Sequence, residues 1–439
     1  SSVVDPRTGE ILESDIIWYH NHLRSYRNRY LLETGAANPK ARTLNTPKEE
    51  IGEMMRMVIS HEIGHALGLP HNMKASSAYP VESLRNPEFA EEYGVAPTIM
   101  DYARLNYIAQ PGDGVKRFIR KIGPYDKYSI NWGYRYIPNA NSPEEEKATL
   151  NEWIISKAND RMYRFGGGDG TNPEAQTEDL GDNSMKADAY GMENLKKVVP
   201  NLLDWTTKPG EDYSDTEEIY GEIIGQWRRF VGHVITNVGG ITENYKSTEQ
   251  QGEGYEVLPE SQQVEAMNWL MKYAFNTPEW LLDEDLLRKI ENYGAVNRIR
   301  STQSSFLNSL LDPTRMQRLI EAEAFKGRNT YTIYQLLADT KKGLFSELST
   351  GSEISTYRRN LQRAFVERLE YLMNNEASSF QARQVNIEQS DIRPAVKGEL
   401  KTLLSDLKTA QSKYTNNRAG NLHLIDLQDR IKEILDMED

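Results

Sequence analysis

The stretch from Thr46 to His71, TPKEEIGEMMRMVISHEIGHALGLPH, constrains this chain more than any other, because it encodes a helix, its stop and a turn. Thr46 is placed to cap, Pro47 suits the first helical position, and Glu49 completes a capping box. Ile51, Met54, Met55, Val58, Ile59, Ile63 and Ala66 recur at helical spacing and predict one buried stripe. Gly68, then Leu69 and Pro70, end the helix. His61 and His65 stand four residues apart, on one face and one turn from each other, so both imidazoles reach one ion. Glu62 is the next residue round and points beside that ion, where a carboxylate acts as general base towards water. A catalytic zinc site wants a third protein ligand and an open position. Gly68 answers this: positive φ is open to it, and a sharp turn there carries His71 to the third vertex. The pattern HExxHxxGxxH fixes five positions, and a chance match in a chain of 439 residues is on the order of one in ten thousand.

The rest of the chain reads as mainly helical. Asp5-Pro6-Arg7-Thr8-Gly9 is a turn signal, and a helix is expected from about Ser14 to Leu32. Asn139 to Ser142 is linker-like, Ser142 with Glu145 opens another helix, and residues 165–183 form a loop rich in Gly and Asp. Further on, Ser214 and Glu217 cap a helix whose Ile219, Ile223, Trp227, Phe230, Val234 and Val238 make a stripe closed by Gly239-Gly240. Val264, Met267, Met271 and Val396, Leu400, Leu403, Leu407 make similar stripes.

Composition narrows the function classes. A net charge of −13, from 52 basic and 65 acidic residues, argues against nucleic acid and anionic membranes as partners. No apolar run is long enough to span a bilayer. With no cysteine, disulfides, thiolate ligands and cysteine nucleophiles are excluded. The chain opens SSVVDPRTGE without an initiator Met, which reads as a fragment or a processed form.

HEIGHALGLPH (61–71) resembles the metzincin zinc-peptidase motif at every fixed position. The metzincins also carry a tight turn with a methionine beneath the metal, and APTIMDY (96–102) is similar to it, with Met100 in that role. Tyr102 matches the Tyr that astacin-like and serralysin-like members place two residues after that Met. GPYDKYSINWGYR (123–135) resembles the helix that closes such domains. DPRTGEIL, EDLGDN (178–183) and YGMENLK (190–196) look like a less studied bacterial branch of zinc-dependent met-zincins. Asn72 departs from the pattern, matching neither the Glu of astacins, the Asp of adamalysins nor the Pro of serralysins.

The resemblance implies an α+β, predominantly α fold with a zincin-like catalytic domain over 1–138, and the change of sequence character after Pro138 adds a linker and loop over 139–183 and an α-helical C-terminal domain over 184–439. Only sixty residues precede His61, so part of the family's N-terminal twisted sheet is expected upstream of Ser1. It implies a zinc endopeptidase acting on peptide or protein substrates, exported to the periplasm, cell surface or medium. His61, His65 and His71 are then the zinc ligands and Glu62 the general base, with Met100 as an apolar floor. Tyr102 donates to the oxyanion, and the strand near Gly9–Leu12 pairs with an extended substrate. A rival layout, the gluzincin one, draws its third ligand from Glu82, Glu88, Glu91 or Glu92. Gly68 has no purpose in that layout, whereas the Met100 turn fits the first.

Several features compete for attention. His20-Asn21-His22 spells a nuclease motif but sits in a helical pattern in an acidic protein, as a surface pair. Lys116, Arg117, Arg120 and Lys121 read as a solvated basic face. Asp160, Asp169, Asp179 and Asp182 lie where Ca²⁺ could bind, without EF-hand spacing. His233 and His423 read as structural. The alternative to an enzyme is an inactive zincin-fold binding or scaffold module; such relics lose the Glu or a ligand, and this chain keeps both.

Overall fold

The computed structural model describes residues 2–168, 170–327, 329–375 and 385–436. The chain divides into two units, the first Ser1–His233 with Ile241–Glu256, the second Val234–Gly240 with Val257–Asp439. The first unit opens with a hairpin of β1 (Ser2–Val4) and β2 (Ile11–Ser14), antiparallel, with Val3 opposite Glu13. Its turn forms where expected: Gly9 has φ +77° and its N–H donates to the Asp5 carbonyl at 2.9 Å. The next helix, α1 (His22–Thr34), starts later than the expected Ser14. Ile16, Ile17, Trp18 and Tyr19 stand in a row, and β-branched and aromatic residues lose side-chain freedom in a helix.

The metal-motif helix is α2 (Lys48–Ala66). Its N-terminus departs from the expected box: Pro47 is the cap and the buried Thr46 hydroxyl has no hydrogen-bond partner. Glu49 and Glu50 still place negative charge on the first turn, where the helix dipole favours it. The buried residues are Met54, Met57, His61 and Gly64, while Ile63 of the expected stripe is exposed. The apolar count alone chose a face slightly off; the helix packs Met54 and Met57 against Tyr30, Ala41, Leu105 and Ile119.

Beyond it come α3 (Pro87–Tyr93), α4 (Pro124–Tyr134), α5 (Pro143–Lys157), α6 (Ser184–Val198), α7 (Leu202–Thr206) and α8 (Ser214–Ile235). A second small sheet pairs β3 (Ile241–Glu243) with β4 (Tyr255–Val257). The α8 stripe is as expected: Ile219, Ile223 and Trp227 are fully buried and Phe230 nearly so. On α1, buried Asn28 donates to Glu218 (2.9 Å) and Glu222 (2.8 Å) of α8. Residues 143–233 belong to the same unit as the metal-motif helix. An amphipathic stripe says that a helix has a core to cover, not which one.

The second unit is helical: α9 (Glu260–Tyr273), α10 (Glu284–Ile290), α11 (Ala295–Leu310), α12 (Pro313–Lys326), α13 (Ile333–Leu344), α14 (Glu347–Thr350), α15 (Thr356–Asn374), α16 (Ile392–Ala410) and α17 (Arg418–Asp436). Val396, Leu400, Leu403 and Leu407 of α16 are fully buried, as are Leu424, Leu427 and Ile431 of the adjacent α17. With two two-stranded sheets among many helices in the described residues, the fold is α+β and predominantly α.

Candidate metal centre

The two helical histidines of α2 have ring centroids 4.7 Å apart and nearly perpendicular planes. Gly68 takes φ +84°, the left-handed conformation expected of it. Leu69 N–H donates back to the Gly64 carbonyl at 3.0 Å, which closes the helix and reverses the chain. His71 is thereby returned to the pair, its ring centroid 4.6 Å from His65 and 5.2 Å from His61. One nitrogen from each of the three lies within 4.8 Å of the others, and among the described residues this is the group that could hold a metal.

The donor set suits zinc. His61 Nδ1 lies 2.6 Å from the Ile99 carbonyl and His65 Nδ1 lies 2.8 Å from the Leu69 carbonyl. A carbonyl only accepts, so each Nδ1 carries the proton and each Nε2 keeps a lone pair for a metal. His65 Nε2 and His71 Nε2 stand 3.0 Å apart. Burial pushes the His61 imidazole down to about 3, and burial also lowers His71, so neither is charged at neutral pH. Neutral imidazoles are what a zinc ion binds, and three leave it an open fourth position.

Met100 lies against the helix at Gly64. It is fully buried, and a Cβ on Gly64 would overlap its Sδ, which explains a glycine between the two helical histidines. The turn is anchored from both sides. Asn72 N–H donates to the Met100 carbonyl (3.1 Å), and Asp126, in the first turn of α4, accepts from Ile99 N–H (3.1 Å) and Gly123 N–H (2.7 Å). So α4, matched by resemblance to a closing helix, holds the methionine turn by its N-terminus. Tyr102 places its ring centroid 4.6 Å from His71 and 5.5 Å from His61. The Arg104 guanidinium lies 5.4 Å from that tyrosine ring and is itself bonded to Glu178 (2.6 Å) and Tyr26 (2.9 Å).

Two residues here escaped the sequence reading. Arg120 is buried, not on a solvated face: it donates to the same Ile99 carbonyl that receives His61 (2.9 Å), and burial pushes its guanidinium down to about 10. Nothing in the run of basic residues distinguishes it. Asn72 is fully buried and clips residues 164–166 to the site: its Nδ2 donates to the Arg164 carbonyl (2.9 Å), and its Oδ1 accepts from Gly166 N–H (3.1 Å). Its departure from the family residues at this place was the one available signal.

Other expected sites do not assemble. Glu82 bonds Lys186 (2.7 Å) and Tyr190 (3.0 Å), Glu91 bonds Arg117 (3.2 Å), and neither these nor Glu88 and Glu92 join the histidine group. His20 and His22 are exposed. Calcium finds no support: Asp160 caps a turn through Met162 N–H (3.0 Å), Asp179 accepts from Ser76 Oγ (3.3 Å), and Asp182 accepts from Val81 N–H (3.1 Å). Asp169 lies outside the described residues. His233 is buried against Asp188 (3.2 Å), which holds its pKa above the ordinary value, and His423 meets Gln362 at 2.8 Å.

No curated protein and no solved structure matches the chain. A family model described as Met-zincin matches residues 43–351, a span that takes in the three histidines, Glu62 and the methionine turn. Since that match covers well over half of the residues and the histidine cluster has the composition such a site requires, the chain belongs to the Met-zincin family.

Proposed function

We propose that this chain is a zinc-dependent endopeptidase in which His61, His65 and His71 hold the metal and Glu62 moves the proton. The observation that carries the reading is the convergence of three imidazoles, two with their tautomers set by carbonyls, beside a glutamate one residue along the helix. A zinc ion held by His61, His65 and His71 would supply Lewis acidity towards a peptide carbonyl and the attacking water. The Glu62 carboxylate takes a proton from the attacking water and returns it to the leaving amine. Tyr102, whose ring lies against His61 and His71, donates its phenol O–H to the developing oxyanion. Arg104, its guanidinium 5.4 Å from the ring centroid, helps to hold that tyrosine. The strand β2 has one partner in its two-stranded sheet, leaving an edge along which an extended substrate can pair.

The test is cleavage of an unfolded protein by the zinc-loaded full-length chain, beside Glu62→Ala. The expected result is cutting by the parent and a loss of at least about a hundredfold in the variant, with zinc content equal. Equal cutting by both would overturn the assignment of Glu62. Zinc bound without cutting by either would move the chain to the reading of a zincin-fold binding module.

A further inference from the structure

We propose that the first unit carries a separate recognition site, an aromatic-walled cavity beside the metal turn that takes a bulky apolar segment of the substrate chain. The proposal rests on the reading of the substrate as a peptide. The cavity measures about 1090 Å³, room for more than one side chain. Tyr125, Tyr128, Trp132, Tyr134, Tyr163 and Tyr245 line it. Apolar side chains normally covered are left bare on its walls: Leu67 is 43% exposed, Ile154 44%, Tyr245 58% and Tyr134 62%. Bare apolar surface gathered in one concavity marks a binding site, whereas the same residues scattered would not.

The occupant follows from charge and position. The lining holds two cations, Arg164 and Lys246, and two anions, Glu249 and Glu256, so it balances within a chain of net charge −13. A neutral apolar ligand is favoured over a charged one. Asn159 at the wall offers a carboxamide that pairs with the N–H and C=O of a peptide backbone, and Gln250, whose oxygen accepts from Ser247 N–H (2.9 Å), adds amide donors. The cavity is also wired to the metal site. Leu69 lines it, and the Leu69 carbonyl is the one that fixes His65 Nδ1. Tyr134, another wall residue, donates its hydroxyl to the Leu67 carbonyl at 2.9 Å. A chain seated here therefore touches the turn that carries the second imidazole to the third.

Gly133 supplies a clean perturbation. It lies on α4, lines the cavity, and a Cβ added there meets no atom within 4 Å. Gly133→Phe should fill the cavity from a helix position where loss of glycine favours the helix. The probe is a short fluorescein-labelled Gly/Ser peptide with two central phenylalanines, and its counterpart with alanines. Binding is read by fluorescence anisotropy on the zinc-loaded full-length Glu62→Gln protein, without turnover. The expected result is saturable binding of the Phe probe, at least tenfold weaker for the Ala probe and at least tenfold weaker in Glu62→Gln/Gly133→Phe. Zinc content and melting temperature report on folding, and the two probes compare independently of the cavity variant. No binding of the Phe probe, or equal affinity for both probes, overturns the proposal. Self-association of the protein that Gly133→Phe abolishes, without peptide binding, assigns the cavity to a second copy and also overturns it. Failure of the peptidase reading shows instead as absence of Glu62-dependent cutting while these affinities hold.

Discussion

Replacing Gly64 by Ala isolates the packing beneath the histidines. In an exposed helix that change gains about 1 kcal/mol, because glycine gives up more backbone freedom than alanine on folding. Here the new Cβ overlaps Met100 Sδ, and Met100 has no free side to move to: it is fully buried, its carbonyl is held by Asn72, and the adjacent Ile99 is held by Asp126. Overpacking of this kind costs about 1–3 kcal/mol. The helix gain and the overlap oppose each other, so the single variant reads as a small loss, which alone decides little. A double-mutant cycle with Met100→Ala removes the ambiguity, since the helix gain is common to both backgrounds and cancels. The coupling that remains is the overlap, about 1–3 kcal/mol, and Gly64→Ala should stabilise the Met100→Ala protein. Scanning calorimetry on the metal-free chain measures it, with the transition of the first unit identified as the one that added zinc raises. In the Met100 background Gly64→Ala should also weaken zinc binding by tenfold or more, because the same turn presents the Ile99 carbonyl to His61. Additivity of the two changes within about 0.5 kcal/mol would refute the packing argument.

The clip at Asn72 should behave differently: Asn72→Ala strands the buried Gly166 N–H and loses the bond to Arg164, a loss of about 2–4 kcal/mol visible in the same calorimetry. Removal of the metal by a strong chelator should lower the melting temperature of the first unit and abolish peptide cleavage, with zinc restoring both; unchanged melting would argue against a site at the histidines. His71→Ala should leave α2 folded and weaken zinc binding by orders of magnitude, as equilibrium dialysis would show. A pH prediction comes from Glu33, buried on α1, where burial pushes the carboxyl from 4.5 up to about 7. Between those values the folded chain keeps a proton that the unfolded chain has released, so stability falls as pH rises from 4.5 to 7 and levels off above. The contribution is up to about 3 kcal/mol, and Glu33→Gln should gain on the parent over that window; parallel curves for the two proteins would contradict it.

Much of the site was legible because its chemistry is local. Helical spacing puts His61 and His65 on one face, and the left-handed freedom of Gly68 returns His71 to them within three residues; both depend on neighbours along the chain alone. The α8 stripe was legible for the same reason, its period being that of the helix. Local logic failed where aromatic and β-branched residues broke the expected start of α1, and where Thr46 was given a capping role although Pro47 occupies the cap position.

What the tertiary structure alone decided lies at large sequence separation. The proton on His61 is set by a carbonyl thirty-eight residues away, and the need for glycine at 64 by a methionine thirty-six residues away. Arg120 carries no mark that separates it from its basic neighbours until the Ile99 carbonyl is brought against it, and Asn72 acquires a purpose only when residues 164–166 arrive. Periodicity encodes which face of an element is apolar, whereas the partner that face meets depends on how distant segments pack. The chain's own order therefore determined which three imidazoles could bind an ion, and packing decided which nitrogen each of the first two offers, what lies beneath them and what wall stands beside them.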